Sequence, residues 1–157
     1  MATESTISKL VTDEQVRKVR DFLMKTLDSV NDKGEPDLEK ILYNATYNMG
    51  HAAIEIAGLV MQEKLKLESL QKQYRERRKV VYEETMTTRM GWTPTQGGVQ
   101  TMLDGDENLS TLKSKIDRQT EYIEFLRAAQ EQIRYYPRNA KALIEVATFG
   151  KEIGKII

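Results

Sequence analysis

The sequence predicts an all-α protein in which a long helix is followed by a C-terminal helical hairpin and preceded by an N-terminal helical arm. Apolar residues recur every three or four positions through most of the chain, a period typical of amphipathic helices. Proline is absent from residues 37–90, so a helix there is not interrupted. The 157 residues are 39% apolar and 31% charged, which favours one helix-rich domain with a moderate core.

The N-terminal arm is predicted to span residues 1–36. Asp13 is expected to cap its helix, because a carboxylate at that position accepts hydrogen bonds from the first free backbone N–H groups. The turn sequence NDKGEP then ends the arm. The apolar residues that define the inner face of this helix are Val16, Val19, Leu23, Leu27 and Val30.

The long helix is predicted over residues 37–90, with Asp37 as its cap. A helix of this length measures about 75 Å, which is too long to be enclosed in a small globule. Its apolar residues follow a heptad-like spacing, typical of a coiled coil, that slips once between Glu63 and Leu67. The residues on this predicted face are Leu38, Leu42, Ala45, Met49, Ala52, Ile56, Leu59, Leu67, Leu70, Tyr74 and Val81.

The remainder of a domain over residues 37–157 is predicted to be a loop followed by two helices. The loop covers residues 91–109, where residues 91–108 include four glycines and one proline. The two helices lie within residues 110–157. Ser110 is expected to cap the first helix, and Pro137 to end it and open the second, because proline is tolerated in the first turn of a helix.

Residue types exclude most catalytic and metal chemistry. The chain has no cysteine and one histidine, His51, so disulfides, thiolate zinc sites and two-histidine metal sites are excluded. GKEIGK has one residue too few between its glycines for a phosphate-binding loop. DGDEN is followed by neither the glycine nor the glutamate that a calcium loop requires. We therefore predict no metal, no cofactor and no enzymatic activity.

The sequence also predicts an intracellular protein without a membrane partner. It contains no run of about 18 apolar residues, the minimum for a membrane-spanning helix. The N-terminal sequence MATESTISKL lacks the basic and then apolar order of a secretory signal. The formal net charge is zero, so affinity for a nucleic acid would depend on how charge is distributed along the chain.

Positive charge is concentrated in KQYRERRKVVYEE, on the long helix. Lys72, Arg75 and Lys79 are three and four residues apart and therefore share one helix face. A basic face with nearby aromatic rings can follow a phosphate backbone while bases stack. The alternative is a solvated coiled-coil face, on which neighbouring glutamates neutralise the charge. The candidate nucleic-acid-binding residues are Lys72, Tyr74, Arg75, Arg77, Arg78, Lys79 and Tyr82.

A second basic cluster occurs in RYYPRNAK, at the predicted junction of the two C-terminal helices. Arg134, Arg138 and Lys141 are its candidate nucleic-acid-binding residues, and Tyr135 and Tyr136 lie among them. The alternative is a helix corner at which the tyrosines pack and the basic groups cap backbone carbonyls. Both basic clusters therefore combine cations with tyrosines.

Four stretches of the chain, taken in order, together resemble one known family. DLEKILYNATYNMG resembles the start of its long helix, and RRKVVY its basic-x-basic-x-x-Tyr signature, with Arg77, Lys79 and Tyr82 on the matching positions. TMLDGDENL resembles its short acidic segment, and YIEFLRAAQEQIRYYPRNAKALIEVATFGKEIGK its C-terminal helical pair. The family is that of the UvsY recombination mediators of bacteriophages. The resemblance extends from about Asp37 to Lys155.

This resemblance implies a mediator that binds single-stranded DNA in the cytoplasm of an infected bacterial host. Such a protein assembles as a ring-like homo-oligomer, a hexamer or heptamer. It helps a RecA-like recombinase replace the single-strand-binding protein in homologous recombination and repair. Arg77 and Lys79 inherit the DNA contacts, whereas Tyr136 stands where an arginine is expected. The C-terminal helices are implied to drive oligomerisation, with Leu126, Ile133, Leu143, Ile144 and Phe149 as candidates.

A different class of function is also compatible with the residue pattern. In that alternative the chain is a coiled-coil structural or adaptor protein without nucleic-acid binding. The long helix would hold partners together, and the basic clusters would serve only solvation. Saturable binding of single-stranded DNA separates the two functions.

Overall fold

The computed structural model describes residues 14–88 and 95–156, and its regular elements are helical apart from an isolated bridge between Val30 and Pro36. The predicted all-α class is therefore confirmed. No helix in these residues has an apolar stretch long enough to cross a bilayer. The elements are α1 (Glu14–Thr26), α2 (Leu38–Tyr43), a π-helical turn (Asn44–Asn48), α3 (Met49–Thr88), α4 (Gln96–Asp104) and α5 (Glu107–Ile156).

The chain forms two compact units that divide the long helices between them. The first unit comprises residues 1–60 and 125–157, and the second comprises residues 61–124. Both α3 and α5 contribute to each unit. The predicted boundary at residue 36 does not separate the units, because α1 and α2 lie in the same one.

The N-terminal arm contains a helix as predicted, but it ends at Thr26, so Leu27 and Val30 of the predicted inner face lie beyond it. Val16 and Val19 are buried as expected. The turn that follows places Gly34 at a φ of 78°, a conformation that favours glycine. The Asn31 side-chain oxygen accepts hydrogen bonds from the backbone N–H groups of Lys33 and Glu35 at 2.9 and 3.0 Å. The Asp13 cap lies outside the described residues.

The long helix begins at the predicted cap. The Asp37 carboxylate accepts hydrogen bonds from the backbone N–H groups of Glu39 and Lys40 at 3.1 and 3.3 Å. Helical structure then continues over residues 38–88, which confirms the prediction as far as the described residues extend. Near its start Ile41 is fully buried, whereas Leu42, predicted to face inward, is exposed. The π-helical turn interrupts the 3.6-residue period there. A heptad pattern that continues across this turn therefore assigns the wrong residues to the buried face.

A buried asparagine accompanies the π-helical turn. The Asn44 amide donates to the carbonyl of Asp28 at 2.8 Å and to the Tyr136 hydroxyl at 3.2 Å. Its own oxygen accepts from the Asn48 amide at 2.7 Å. These bonds satisfy a polar group in the first unit that would otherwise be costly to bury.

The predicted loop over residues 91–109 is wrong for residues 96–104, which form α4, and for residues 107–109, which begin α5. The Thr95 hydroxyl caps α4 by accepting from the backbone N–H of Gly98 at 3.2 Å. Val99 and Leu103, one helical turn apart, then pack in a cluster with Val81 and Leu109. This burial outweighs the low helix propensity of the paired glycines that suggested a loop.

The predicted C-terminal helical hairpin is also wrong, because α5 is one continuous helix that contains Pro137. Proline removes one backbone hydrogen bond, but it does not end a helix that is held on both sides. Before the proline, the Tyr136 hydroxyl accepts a hydrogen bond from the Asn44 amide, and after it Ala140 is buried. Ser110 is not the cap, since the helix begins at Glu107.

The slip in the heptad spacing coincides with a buried carboxylate in the second unit. Glu63 is buried, and it pairs with the Lys66 ammonium at 2.7 Å. The Gln119 side chain on α5 donates to both the Glu63 carboxylate and its backbone carbonyl. A polar contact between α3 and α5 therefore replaces one apolar layer.

Candidate nucleic-acid interface

Four of the predicted binding residues lie around one groove in the second unit. Arg75, Arg78, Lys79 and Tyr82 form its α3 side, and α4 supplies two apolar residues, Val99 and Leu103. The groove has a volume of about 320 Å³. We refer to these six residues as the cationic groove.

The spacing of the α3 residues explains how they reach one groove. Arg75, Arg78 or Lys79, and Tyr82 are separated by three or four residues and lie on consecutive turns of the helix. Val81, between them, points instead into the cluster with Leu103 and Leu109. The packing of α4 through this cluster places an apolar surface beside the cations.

The cations of the groove are not neutralised by close ion pairs. Arg75 and Arg78 form no ion pair with any side chain of residues 14–88 and 95–156. Lys79 is 3.9 Å from Glu83, and both side chains are largely exposed. Exposed pairs of this kind contribute little free energy, so phosphate groups can compete for the lysine.

The other predicted residues of this helix lie elsewhere. Lys72 does not line the groove, and its ammonium is 3.9 Å from the Glu76 carboxylate. Tyr74 packs, half-buried, against the cluster of Val81, Leu103 and Leu109. The prediction that Tyr74 contacts a nucleic acid is therefore corrected, because its ring belongs to the core.

Arg77 makes the shortest ion pair of the basic run. Its guanidinium donates to both oxygens of Asp106, with Nη2–Oδ2 at 2.7 Å and Nε–Oδ1 at 3.3 Å. Asp106 also caps α5 by accepting from the backbone N–H of Leu109 at 2.8 Å. The hydrogen bond from Arg77 lowers the pKa of Asp106, and the same bond raises the pKa of Arg77.

This geometry changes the role expected for Arg77. A two-point contact with a carboxylate uses the donors that a phosphate would otherwise take. The Arg77 side chain is 31% exposed and that of Asp106 14% exposed, so the pair is partly shielded from water. Arg77 therefore fixes the start of α5 beside α3, and the groove cations remain available for phosphates.

The Arg77–Asp106 pair predicts a pH-dependent stability. Asp106→Asn should remove the charge and keep the cap, because asparagine caps helices as well as aspartate. The lowered pKa means that the folded chain favours the ionised carboxylate, relative to an ordinary pKa of 3.8. The contribution is therefore complete above that value and is lost as pH falls through the lowered pKa.

Urea unfolding of the wild type and Asp106→Asn from about pH 7 to pH 2 measures this effect. We expect the wild type to be more stable by a constant amount near neutral pH, and the difference to shrink below about pH 4. Asp104→Asn is the matched control, because within the described part of the chain the Asp104 carboxylate accepts only from the nearby Gln100 side chain. A difference between wild type and Asp106→Asn that is the same at every pH would contradict the role of the ion pair.

The second basic cluster lies in the first unit, on α5. Arg134 and Lys141 are exposed, 3.9 Å from Glu131 and Glu145 respectively. Arg138 lines a groove of about 660 Å³ whose walls include Leu23, Met24, Leu27, Ile133, Tyr135 and Tyr136. This groove is mainly apolar and is lined by one cation, whereas the cationic groove is lined by three.

The predicted oligomerisation residues divide into buried and exposed ones. Leu126 and Ile133 are buried within the chain, so the prediction that they contact another subunit is corrected. Ile144 is half-buried and Phe149 is exposed. The side chain of Leu143 lies outside the described residues.

The predicted site does not include Val99, Leu103 and Asp106, because the sequence predicts a loop over residues 91–109. Thr95 followed by Val99 and Leu103 is a cap with apolar residues at helical spacing, a signal that the paired glycines obscured. Asp106 is also a residue type that caps helices, but the cap was predicted at Ser110, four residues later.

Comparisons of the chain with family models, curated proteins and solved structures find no match, so the UvsY resemblance supports only a proposal.

Proposed function

We propose that the protein is a non-enzymatic recombination mediator that binds single-stranded DNA as a homo-oligomer. The observation that carries this proposal is the cationic groove, where three basic side chains and an exposed tyrosine surround an apolar floor. Cations bind the phosphates of a strand, and aromatic rings stack on its bases. The signature Arg77-x-Lys79-x-x-Tyr82, which resembles that of the UvsY family, lies on the same helical segment.

The proposed mechanism depends on repetition of the groove. One subunit offers only three phosphate contacts, which give weak binding at physiological salt. A hexamer or heptamer repeats the groove along one strand, so binding of the second and later grooves becomes intramolecular. A protein with no net charge can thus hold single-stranded DNA firmly. The held strand would then pass from a single-strand-binding protein to a RecA-like recombinase in the cytoplasm of an infected bacterium.

Exposed apolar side chains in the first unit support the proposed self-association. Tyr43 and Tyr47 have ring centroids 5.2 Å apart, and both rings are largely exposed. Ile54, two turns farther along the same helical run, is also exposed. Leu126 and Ile133 are buried within the chain. We therefore propose that Tyr43, Tyr47, Ile54 and Phe149 contribute to subunit contacts instead.

A coiled-coil adaptor without nucleic-acid binding is the second candidate. The observation that favours it is the pairing of Lys72 with Glu76 and of Lys79 with Glu83, four residues apart on α3. Such pairs are typical of solvated helix faces. They do not explain Arg75 and Arg78, which have no acidic partner in the described part of the chain.

Native mass spectrometry with and without a short single-stranded oligonucleotide tests the proposed function. We expect a homo-oligomer in both samples and a mass increase corresponding to bound DNA in the second. The same oligonucleotide annealed to its complement is the control for simple charge attraction. An oligomer that gains no mass with the single strand would support the adaptor instead.

A further inference from the structure

The floor of the cationic groove is apolar, which phosphate binding alone does not require. This floor consists of Val99, which is half-buried, and Leu103, which is buried; both belong to α4 and line the groove together with the cations of α3. Tyr82 borders it, and the tyrosine side chain is 41% exposed. A phosphate would gain nothing from these residues, whereas a flat, weakly polar group would be removed from water there.

We infer that the cationic groove accepts one unpaired nucleobase and thereby selects single-stranded over double-stranded DNA. This inference rests on the proposed function and names the group that its site recognises. The base would lie over Val99 and Leu103 and stack on the Tyr82 ring. The flanking phosphates of the same strand would contact Arg75, Arg78 and Lys79.

The dimensions of the groove fit this assignment. Its volume of about 320 Å³ is at the lower end of the range of ligand pockets, so it suits one nucleotide rather than several. Arg75 lies one turn of α3 before Arg78 and Lys79, and Tyr82 lies about one turn after them. A strand that follows α3 could therefore place one base in the groove for each subunit.

Single-strand selectivity follows from the chemistry of the base. In a duplex each base is stacked and paired, and it must leave the helix before it can enter a protein pocket. Phosphate contacts alone are sequence-independent and are available in duplex DNA as well. A base-accepting groove therefore adds affinity only for strands whose bases are free.

The direct test compares an ordinary oligonucleotide with one of equal length whose central nucleotides are abasic. Both strands carry the same phosphates, so only base contacts differ. We expect the wild type to bind the ordinary strand roughly tenfold more tightly, as stacking contributions per base imply. Tyr82→Ala should remove most of this difference and leave the salt dependence unchanged, whereas Tyr82→Phe should retain it.

Tyr135→Ala is the matched control, because Tyr135 is an exposed tyrosine in the first unit and does not line the cationic groove. It should leave the preference for the ordinary strand intact. Equal binding of the ordinary and abasic strands by the wild type would overturn the inference and leave the proposed function standing. Failure to bind either strand would reject the proposed function, and the inference with it.

Discussion

Replacement of Arg75, Arg78 and Lys79 together by glutamine is expected to reduce the affinity for single-stranded DNA by at least roughly 100-fold at about 0.1 M salt. Each phosphate contact with a single strand contributes about 0.7 to the slope of log affinity against log salt. Each subunit that engages the strand loses three contacts, so the slope should flatten by at least about 2. Fluorescence anisotropy of a labelled oligonucleotide at several salt concentrations measures both the affinity and the slope.

The control for this experiment removes the same charge from other positions in the second unit. Lys64, Lys113 and Lys115 are exposed and do not line the groove, so their replacement by glutamine should change the slope little. Circular dichroism should show the same helix content for both triple variants, because all six side chains are at the surface. Equal losses of affinity in the two variants would mean that DNA responds to overall charge and not to the groove.

Leu126→Ala is expected to destabilise the folded chain by about 2–5 kcal/mol, the usual cost of removing a large side chain from a core. Leu126 has 0% of its surface exposed and is among the largest fully buried side chains of the described residues. The alanine leaves a cavity that its neighbours fill only partly. The free energy of unfolding, obtained from urea titration, should fall by this amount at every protein concentration.

Phe149→Ala is the contrasting variant, since the Phe149 side chain is 64% exposed. In dilute protein we expect its effect on the free energy of unfolding to stay within about 0.5 kcal/mol. If Phe149 contributes to a subunit contact, its replacement should instead lower the association constant measured by sedimentation. If the loss in free energy of unfolding caused by Leu126→Ala depended strongly on protein concentration, Leu126 would contribute to a subunit contact. That result would contradict its place in the core of the single chain.

The helices could be predicted wherever a local signal agrees with the packing. Asp37 is a carboxylate followed by a long apolar repeat, and it caps the long helix as expected. The turn in NDKGEP was also predictable, because Gly34 takes a positive φ there, although α1 ends earlier, at Thr26. In these places the residue type determines the backbone conformation locally.

Contacts between distant residues explain the predictions that were wrong. Pro137 and the paired glycines Gly97 and Gly98 are local signals for a break, yet α5 and α4 continue through them. Tertiary packing supplies the stability there, and packing has no signature within a short stretch of sequence. The same reason applies to Arg77, whose partner Asp106 is 29 residues away.

The site was therefore predictable as a set of charges but not as a shape. Helical spacing brought Arg75 and Lys79 to one face, as the structure has them. It could not show that the Arg77 guanidinium is paired with the Asp106 carboxylate, or that α4 provides an apolar floor. Family resemblance ranked Arg77 with Lys79, and the geometry moves that emphasis to Arg75, Arg78 and Lys79.

Titration of a labelled single-stranded oligonucleotide with the wild-type protein, at about 50 and 200 mM salt, tests the central claim most directly. The proposed function predicts saturable binding that weakens by at least roughly 20-fold between the two salt concentrations, as three or more phosphate contacts require. Absence of saturable binding at both salt concentrations would contradict it, and the chain would then be a coiled-coil adaptor.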